Sequence, residues 1–386
     1  PVAGPIAAVV DSKLVRGLVV ALALTLAAWV SMAAIFGADS LVNPTFGAVY
    51  ALLWVGLVPA ALLFGPIYRL CNPLRWLHQG LCLVARIDPA AGVTSYPVRL
   101  GLWPAALLLF AFVWLELVDP NTATDLTWVT LWFAVVGVVL LLGATVYGDT
   151  WFAHADPFEV YSSLVARLSP YGRKGDGTLV VRNPLDNLDG IPPRPGLVGV
   201  VSVLLGSTAF DSFRESSRWL RFSQQYPDSA TLLNSFTLIG FCLIVLVTFI
   251  GAAVLVGGIG HARRRDLPNL FAHSLVPIVV GYIVAHYLSF FVSTGITTLQ
   301  QLGDPLSQGW TLTSWAYRLD KYAFYDHLTA LAVTKVVATS SVLGVIAAHD
   351  RAVRLLPRIR ALVGQLPILV LMVAYTLTGL WLLFSP

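Results

Sequence analysis

The segment LLNSFTLIGFCLIVLVTFIGAAVLVGG, residues 232–258, contains no charged side chain. About 20 apolar residues suffice for an α-helix to cross a hydrocarbon layer of roughly 30 Å, because each residue advances the helix by about 1.5 Å. The segment is therefore predicted to span a membrane. Nine stretches of the chain meet this criterion, near residues 16–36, 47–67, 100–118, 128–147, 196–214, 232–258, 270–293, 330–348 and 366–384.

The composition of the whole chain agrees with this interpretation. Of its 386 residues, 57% are hydrophobic and 11% carry a charge, whereas about a quarter are charged in a soluble protein. The 12 Trp residues suit the two interfaces of a bilayer. We therefore expect an all-α polytopic transmembrane bundle, a single membrane domain over 1–386. The basic residues are dispersed in short loops, which argues against a nucleic-acid partner.

Positive charge in the loops predicts the orientation of the bundle. Of the 24 Lys and Arg residues, 18 lie in one alternate set of loops, five lie in the other set, and Lys335 lies inside a span. Because positive charge is retained on the cytoplasmic side, the N-terminus is predicted to be cytoplasmic and the C-terminus extracellular. The bacterial plasma membrane is the expected location. Since the chain begins at Pro1, we also expect a signal peptide or a further span upstream.

The longer connections are expected to carry structure of their own. On the cytoplasmic side, 68–98 contains Asn72-Pro73 and then apolar residues at helical spacing, which predicts an interfacial helix. The cytoplasmic connection 148–195 contains Asp156-Pro157 with Glu159 three residues after the aspartate, a pattern typical of a capped helix start. The extracellular connections 215–231 and 294–329 are polar and aromatic, and we expect them to cover the outer face.

Ionisable residues inside spans are the first candidates for a functional site, because each costs about 2.5–3.5 kcal/mol on insertion scales. They are Glu116, Lys335, His286 and Asp211. Asp211 is placed by helix length. The apolar run 196–210 gives about 22 Å of helix, which is shorter than the hydrocarbon layer, so the fifth span is predicted to continue past Asp211.

Two spans carry a polar face. If the fifth helix continues, four polar residues share one side of it, and the seventh span has a similar set. The sets are Ser207, Asp211, Arg214 and Arg218, and Tyr282, His286, Ser289 and Ser293. Together with Glu116 and Lys335 they indicate a polar cavity open to the outer leaflet. In the alternative interpretation Glu116 and Lys335 form one ion pair, and the hydroxyls bond to carbonyls of their own helices.

A divalent metal or a haem could also use the histidines. Helix capping accounts for Asp156 and Glu159, which leaves Asp149 and His154 as metal ligands together with His261 or His273. A haem is disfavoured, because His273 and His286 would point roughly 140° apart around a straight helix and an opposing histidine is needed. The sequence contains no Walker loop, GxSxG or HExxH motif.

The chain resembles a group of actinobacterial multi-spanning membrane proteins that often carry the label fenitrothion hydrolase. The stretches that carry the resemblance extend from about residue 50 to 290, and they are WVGLVPA, GPIYRLCNPLRWL, GDTWFAHADPFEVYSSLVARLSPYG, VVRNPLDNL, LLGSTAFDSF and AHSLVPIVVGYIVAHY. The resemblance implies an ester hydrolase, which could be metal-assisted. Asp211 with His286, or His154 with His273, are the sets that could supply such a site.

The sequence is compatible with three classes of function. The resemblance implies a membrane hydrolase, and the outward polar cavity would suit a transporter or permease. Long, structured loops that could dock other protein subunits would suit an accessory subunit of a larger membrane complex.

Overall fold

The computed structural model describes residues 4–173, 176–256, 263–322, 327–355 and 364–384. Helices dominate it. In chain order they are α1 (Gly4–Asp11), α2 (Lys13–Phe36), α3 (Pro44–Gly47), a π-helix (Ala48–Val55), α4 (Leu57–Phe64), α5 (Ile67–Cys71), α6 (Pro73–Ala85), α7 (Trp103–Leu117), α8 (Pro120–Ala123), α9 (Leu126–Tyr147), α10 (Phe152–Ala155), α11 (Pro157–Val165), α12 (Pro184–Asp189), α13 (Leu197–Arg214), α14 (Ser217–Gln224), α15 (Ala230–Leu255), α16 (Leu267–Phe271), α17 (Val276–Gln301), α18 (His327–Leu355) and α19 (Leu366–Phe384).

The described helices confirm an all-α polytopic membrane protein. Seven are long and apolar enough to cross a membrane, and the bent pair formed by residues 44–55 and 57–64 makes an eighth when it is counted as one span. The shorter apolar helix α7 coincides with the predicted third span. Each of the nine predicted stretches therefore corresponds to a helix. α17 extends to Gln301, well beyond the predicted end of its span near residue 293.

The chain divides into two compact units. Unit 1 comprises Pro1–Pro97, Thr124–Asn187 and Ser289–Phe324, and unit 2 comprises Val98–Ala123, Leu188–Leu288 and Tyr325–Pro386. α17 belongs to unit 2 up to Leu288 and to unit 1 from Ser289.

The short helix α11 is almost completely buried within unit 1. Asp156 caps it by accepting hydrogen bonds from the backbone N–H groups of Phe158 and Glu159, and Pro157 fills its first turn. This confirms the predicted helix start. The Tyr161 ring of α11 lies 5.1 Å from the Trp54 ring of the π-helix, and both side chains are fully buried.

A bend interrupts the second span of unit 1. The π-helix and α4 meet at an angle of 41°. At the junction the N–H of Gly56 donates to the carbonyl of Ala51, a bond five residues long. Pro59 follows in the first turn of α4, and since proline has no N–H it cannot continue the helical ladder back to Val55. The wide turn and the proline together account for the bend.

A small hairpin lies in the connection 148–195. Strands β1 (Tyr171–Arg173) and β2 (Leu179–Val181) pair antiparallel, with Tyr171 opposite Val181.

Short 3-10 helices also occur along the chain. They are Gly148–Thr150, Ala166–Leu168, Pro227–Ser229, Arg264–Asp266, Ala272–Leu275 and Ser314–Arg318.

Helix α13 forms the centre of unit 2. It lies against α7 and α15, and 15 of its 18 residues are buried. Because α13 carries polar side chains such as Asp211 and Arg214, a position enclosed by other helices is expected for it. Gly206 permits the close approach of α15, because a Cβ atom at this position would lie 2.7 Å from the Cα of Cys242. Small residues at such crossings are typical of membrane helix packing.

The orientation of the bundle stays a prediction, which cysteine labelling can test. Asp176 and Asp228 are both exposed, and the charge bias places them on opposite sides of the membrane. In a variant without Cys71, Cys82 and Cys242, we expect a membrane-impermeant maleimide added to intact cells to modify Asp228→Cys and not Asp176→Cys. Both positions should react after the cells are permeabilised. Modification of residue 176 in intact cells would reverse the orientation.

Candidate functional site

Helix α13 carries Asp211 in its last turn. The helix continues past Phe210 to Arg214, which confirms the prediction made from the length of the apolar run. Asp211 is 4% exposed. The predicted polar face ends at Arg214, however, because α13 ends there and Ser216 caps the separate helix α14. Arg218 therefore lies on a different helix from Asp211, and the sequence interpretation was wrong on this point.

The Asp211 carboxylate is held by side chains of α13 and α17. Its Oδ1 accepts a hydrogen bond of 2.6 Å from Arg214 Nε, which forms an ion pair. Its Oδ2 accepts one of 2.7 Å from the Tyr287 hydroxyl and lies 3.0 Å from His286 Nε2. Arg214 also donates to the carbonyl of Leu117 at the end of α7. Three side chains, one of them the Arg214 cation, thus compensate a carboxylate removed from water.

His286 extends this arrangement to a serine and a second tyrosine. Its Nδ1 lies 3.2 Å from Ser212 Oγ, and the Tyr282 hydroxyl donates to the same Oγ at 3.0 Å. If Nε2 carries the proton and donates to Asp211, Nδ1 is free to accept from Ser212. The hydrogen bonds then run without interruption from Tyr282 to Tyr287. We call these residues the Asp211 cluster: Asp211, Ser212, Arg214, Tyr282, His286 and Tyr287.

The structure brings together three of the four predicted catalytic residues. Asp211 and His286 are in direct contact, and Glu116 on α7 lies within electrostatic range of Asp211 and Arg214. Glu116 Oε2 has no hydrogen-bond partner among the described residues. Lys335 is exposed, and none of the ion pairs in the described part of the chain includes it. The proposed pairing of Glu116 with Lys335 is therefore not seen.

Sequence reasoning missed Ser212 and Tyr287. Ser212 directly follows Asp211, and Tyr287 directly follows His286. Because adjacent residues on a straight helix lie on different sides of it, neither was included in the predicted polar faces. The Ser212 hydroxyl also contacts the carbonyl of Thr208, one helical turn earlier on α13, at 3.3 Å. Tyr287 reaches Asp211 from a position adjacent to His286. Only the contact between α13 and α17 reveals that these neighbours belong to the cluster.

The three residues predicted as metal ligands have other partners. His154 Nδ1 lies 2.9 Å from the Thr150 carbonyl, and its ring lies 4.5 Å from that of Tyr96. Both ring nitrogens of His273 face carbonyls, those of Leu270 and Ala347. Nowhere in the described ranges do three His, Cys, Asp or Glu side chains form a group that could hold a metal ion. His261, the further candidate ligand, lies outside the described residues.

Asp149, the third predicted ligand, belongs to a buried polar cluster in unit 1. Arg75 on α6 donates two hydrogen bonds to Glu159, of 2.7 Å from Nη2 and 3.2 Å from Nε. Its Nη1 lies 3.3 Å from Asp149, which also contacts His78 and Gln79. Asn72 donates to Asp156 at 2.8 Å. We call these residues the Arg75 cluster: Asn72, Arg75, His78, Gln79, Asp149, Asp156 and Glu159.

The Arg75 cluster revises two interpretations of the sequence. Arg75 belongs to the connection in which the sequence predicts an interfacial helix, yet its side chain is only 5% exposed. Glu159 had been assigned to helix capping, but its carboxylate binds Arg75 and Asn72. A polar stripe on α6 that begins at Asn72 and continues through Arg75, His78 and Gln79 was the available signal.

Comparison with protein-family models, with curated proteins and with solved structures finds no match.

The ion pair of Arg75 and Glu159 is expected to stabilise unit 1. Arg75→Met would leave the Glu159 carboxylate buried with its cation removed, and we expect it to lower the free energy of unfolding by about 3–5 kcal/mol. Arg69→Met is the matched control. Arg69 is 65% exposed and 3.9 Å from the same carboxylate, so its removal should cost less than about 1 kcal/mol. Chemical denaturation in detergent micelles measures both effects.

The double variant Arg75→Met, Glu159→Leu removes both charges and should recover most of the lost stability. If Arg75→Met and Arg69→Met lower the free energy of unfolding equally, the buried ion pair does not stabilise unit 1 more than the exposed arginine does.

Proposed function

We propose that this chain moves protons across the bacterial plasma membrane, with Asp211 and His286 as its proton-binding pair. The observation that supports the proposal is the hydrogen-bond chain of the Asp211 cluster, which lies at the contact between two apolar helices. Ionisable side chains inside membrane helices are costly and are typical of proton and ion pathways. A transport protein agrees with the polar faces of the fifth and seventh spans.

The composition of the cluster suits proton transfer. Histidine is the side chain that ordinarily changes charge between pH 5 and 8. In the neutral form its two ring nitrogens differ, one a donor and the other an acceptor, so a proton can enter at one and leave at the other. Here one ring nitrogen faces a carboxylate and the other a hydroxyl. Hydroxyls such as those of Ser212, Tyr282 and Tyr287 both donate and accept, so each can pass a proton along the chain.

Arg214 and Glu116 set the charge around the pair. Arg214 is fixed by Asp211 and by the Leu117 carbonyl, and its permanent positive charge favours the ionised carboxylate at Asp211. Glu116 lies nearby with one carboxylate oxygen that lacks a hydrogen-bond partner in the described residues. In the proposal Glu116 is the group that exchanges protons with the pair.

Proton flux into liposomes tests the proposal. With a pH-sensitive dye inside the vesicles and a proton gradient across them, the reconstituted protein should acidify the interior faster than protein-free vesicles. Asp211→Asn and His286→Gln remove the proton-binding pair and should lower the rate to that of protein-free vesicles. Asp228→Asn, an exposed carboxylate of the same unit, is the control and should keep the wild-type rate.

Loss of folding has to be separated from loss of flux. Asp211→Asn leaves Arg214 partly buried without its carboxylate, whereas Asp211→Asn combined with Arg214→Gln removes both charges. The double variant should melt close to the wild type and still be inactive. Flux at the wild-type rate in a folded Asp211 variant would exclude the proposed pair.

A second function, ester hydrolysis, is favoured by one specific contact. Ser212 Oγ, His286 and Asp211 have the connectivity of a Ser-His-Asp triad, and the resemblance to proteins labelled fenitrothion hydrolase points to the same chemistry. In this arrangement the serine faces Nδ1 and the carboxylate faces Nε2. His286 would act as the base and Ser212 as the nucleophile. The oxygens of Asp211 and the ring nitrogens of His286, which would have to bind the metal ion, already have hydrogen-bond partners within the cluster. The described residues therefore do not fit a metal-assisted mechanism.

A fluorophosphonate reagent separates the two functions. As a proton-binding group, Ser212 should stay unmodified, because it is 6% exposed and its oxygen accepts from Tyr282. Intact-protein mass spectrometry measures the modification. Labelling that disappears in Ser212→Ala and in His286→Ala, but persists in the neighbouring Ser207→Ala, would instead establish a serine hydrolase.

A further inference from the structure

Unit 1 contains a large cavity that is separate from the Asp211 cluster. Its volume is about 720 Å³, within the range of roughly 300–1,000 Å³ that is typical of small-molecule sites. Its walls are formed by α2, α9, the π-helix and the beginning of α11. Short π-helical segments occur frequently at functional sites.

The walls of the cavity are mainly apolar, and several of the lining residues on α2 are small. Ala23, Ala27 and Ala28 face the cavity from α2, and Ala48 faces it from the π-helix. These short side chains leave space between helices that larger residues would fill. The cavity therefore suits the hydrocarbon part of a ligand.

Of the four hydroxyl-bearing residues that line the cavity, two are threonines without a hydrogen-bond partner among the described residues. Thr45 and Thr130 both line the cavity. Their Oγ1 atoms are buried and have no hydrogen-bond partner among the described residues, and Thr45 is only 3% exposed. A buried hydroxyl without a partner is costly, so a ligand with a hydroxyl or carbonyl group would satisfy both threonines.

The charge of the lining favours an uncharged ligand. No Lys or Arg is among the described lining residues, and Asp156 is the one carboxylate there. Its Oδ1 accepts from the N–H groups of Phe158 and Glu159, and its Oδ2 accepts from Asn72. Burial raises the pKa of Asp156 to about 7. A phosphate or carboxylate headgroup would find no cation here and would approach this acid.

The cavity also adjoins an apolar exposed surface. Leu14, Leu18, Leu22 and Leu26 form a stripe along α2, each between 42% and 71% exposed. Leu26 belongs both to this stripe and to the lining of the cavity. In a membrane-spanning helix such a stripe faces hydrocarbon, so the membrane itself is the source from which a ligand reaches the cavity.

We propose that unit 1 binds an uncharged membrane lipid in this cavity, with its hydroxyl or carbonyl group hydrogen-bonded to Thr45 and Thr130 and its hydrocarbon chain along α2.

Photo-crosslinking of the purified full chain tests this site. The probe is a long-chain alcohol that carries a diazirine in its chain. We expect the label on peptides that contain residues 23–35 and 129–140, and we expect competition by excess monoacylglycerol but not by the fatty acid anion of equal length. Equal competition by both would contradict an uncharged headgroup.

Variants distinguish the cavity from general solvation by lipid. Ala27→Phe fills the cavity and should reduce labelling at least about tenfold, whereas Ala21→Phe, on the same helix but exposed and outside the lining, should not change it. Equal labelling of the two variants would show that the probe only samples the lipid-facing surface and would overturn the proposal.

Isosteric threonine variants test the hydrogen bonds. Thr45→Val and Thr130→Val should each weaken competition by monoacylglycerol about tenfold, which corresponds to roughly one hydrogen bond. The exposed Thr127 on α9 provides the control Thr127→Val. These variants keep the volume of the side chain, so they report on binding even if Ala27→Phe does not fold. Unchanged competition in both variants would refute the assigned contacts.

Discussion

Hydrocarbon offers no hydrogen-bond partner, so every polar group that this chain carries into a membrane must find its partner within the protein. Asp211 illustrates the constraint. Its carboxylate is bound by a guanidinium, a phenol and an imidazole, all from its own helix or from α17. The hydrogen bonds that compensate the buried charge also join α13 to α17. They therefore fix the rotation of each helix about its own axis relative to the other.

The two polar clusters both compensate buried charge, but they do so by different chemistry. In the Arg75 cluster a permanently charged guanidinium holds Glu159 through two hydrogen bonds, and neither group changes its role easily. In the Asp211 cluster an imidazole lies between a carboxylate and a hydroxyl, and each of these partners can exchange a proton with it. The first arrangement is typical of a structural tie, and the second is suited to a reaction.

Hydropathy and length were sufficient to predict the helices, because a spanning segment depends on the total apolar content and not on contacts between helices. The same argument placed Asp211 inside the fifth span. Contacts between helices were not accessible in this way. Lys335 and Glu116 are both predicted to lie inside spans, yet that placement does not determine which side chains meet. Arg75 was counted as a loop charge, and the burial of its side chain depends on α11, which is distant in sequence.

The cavity of unit 1 was not predicted from the sequence. Alanines are ordinary helix residues, and the sequence of a single helix does not show where a gap forms between several helices. Its geometry depends on the π-helix. A π-helical turn holds one residue more than an α-helical turn, so the segment 48–55 sets the rotation of everything before it. Deleting one residue there would turn Thr45 by about 100° around the helix axis. The number of residues in the π-helix thus determines whether the hydroxyls of Thr45 and Thr130 can bind the same ligand.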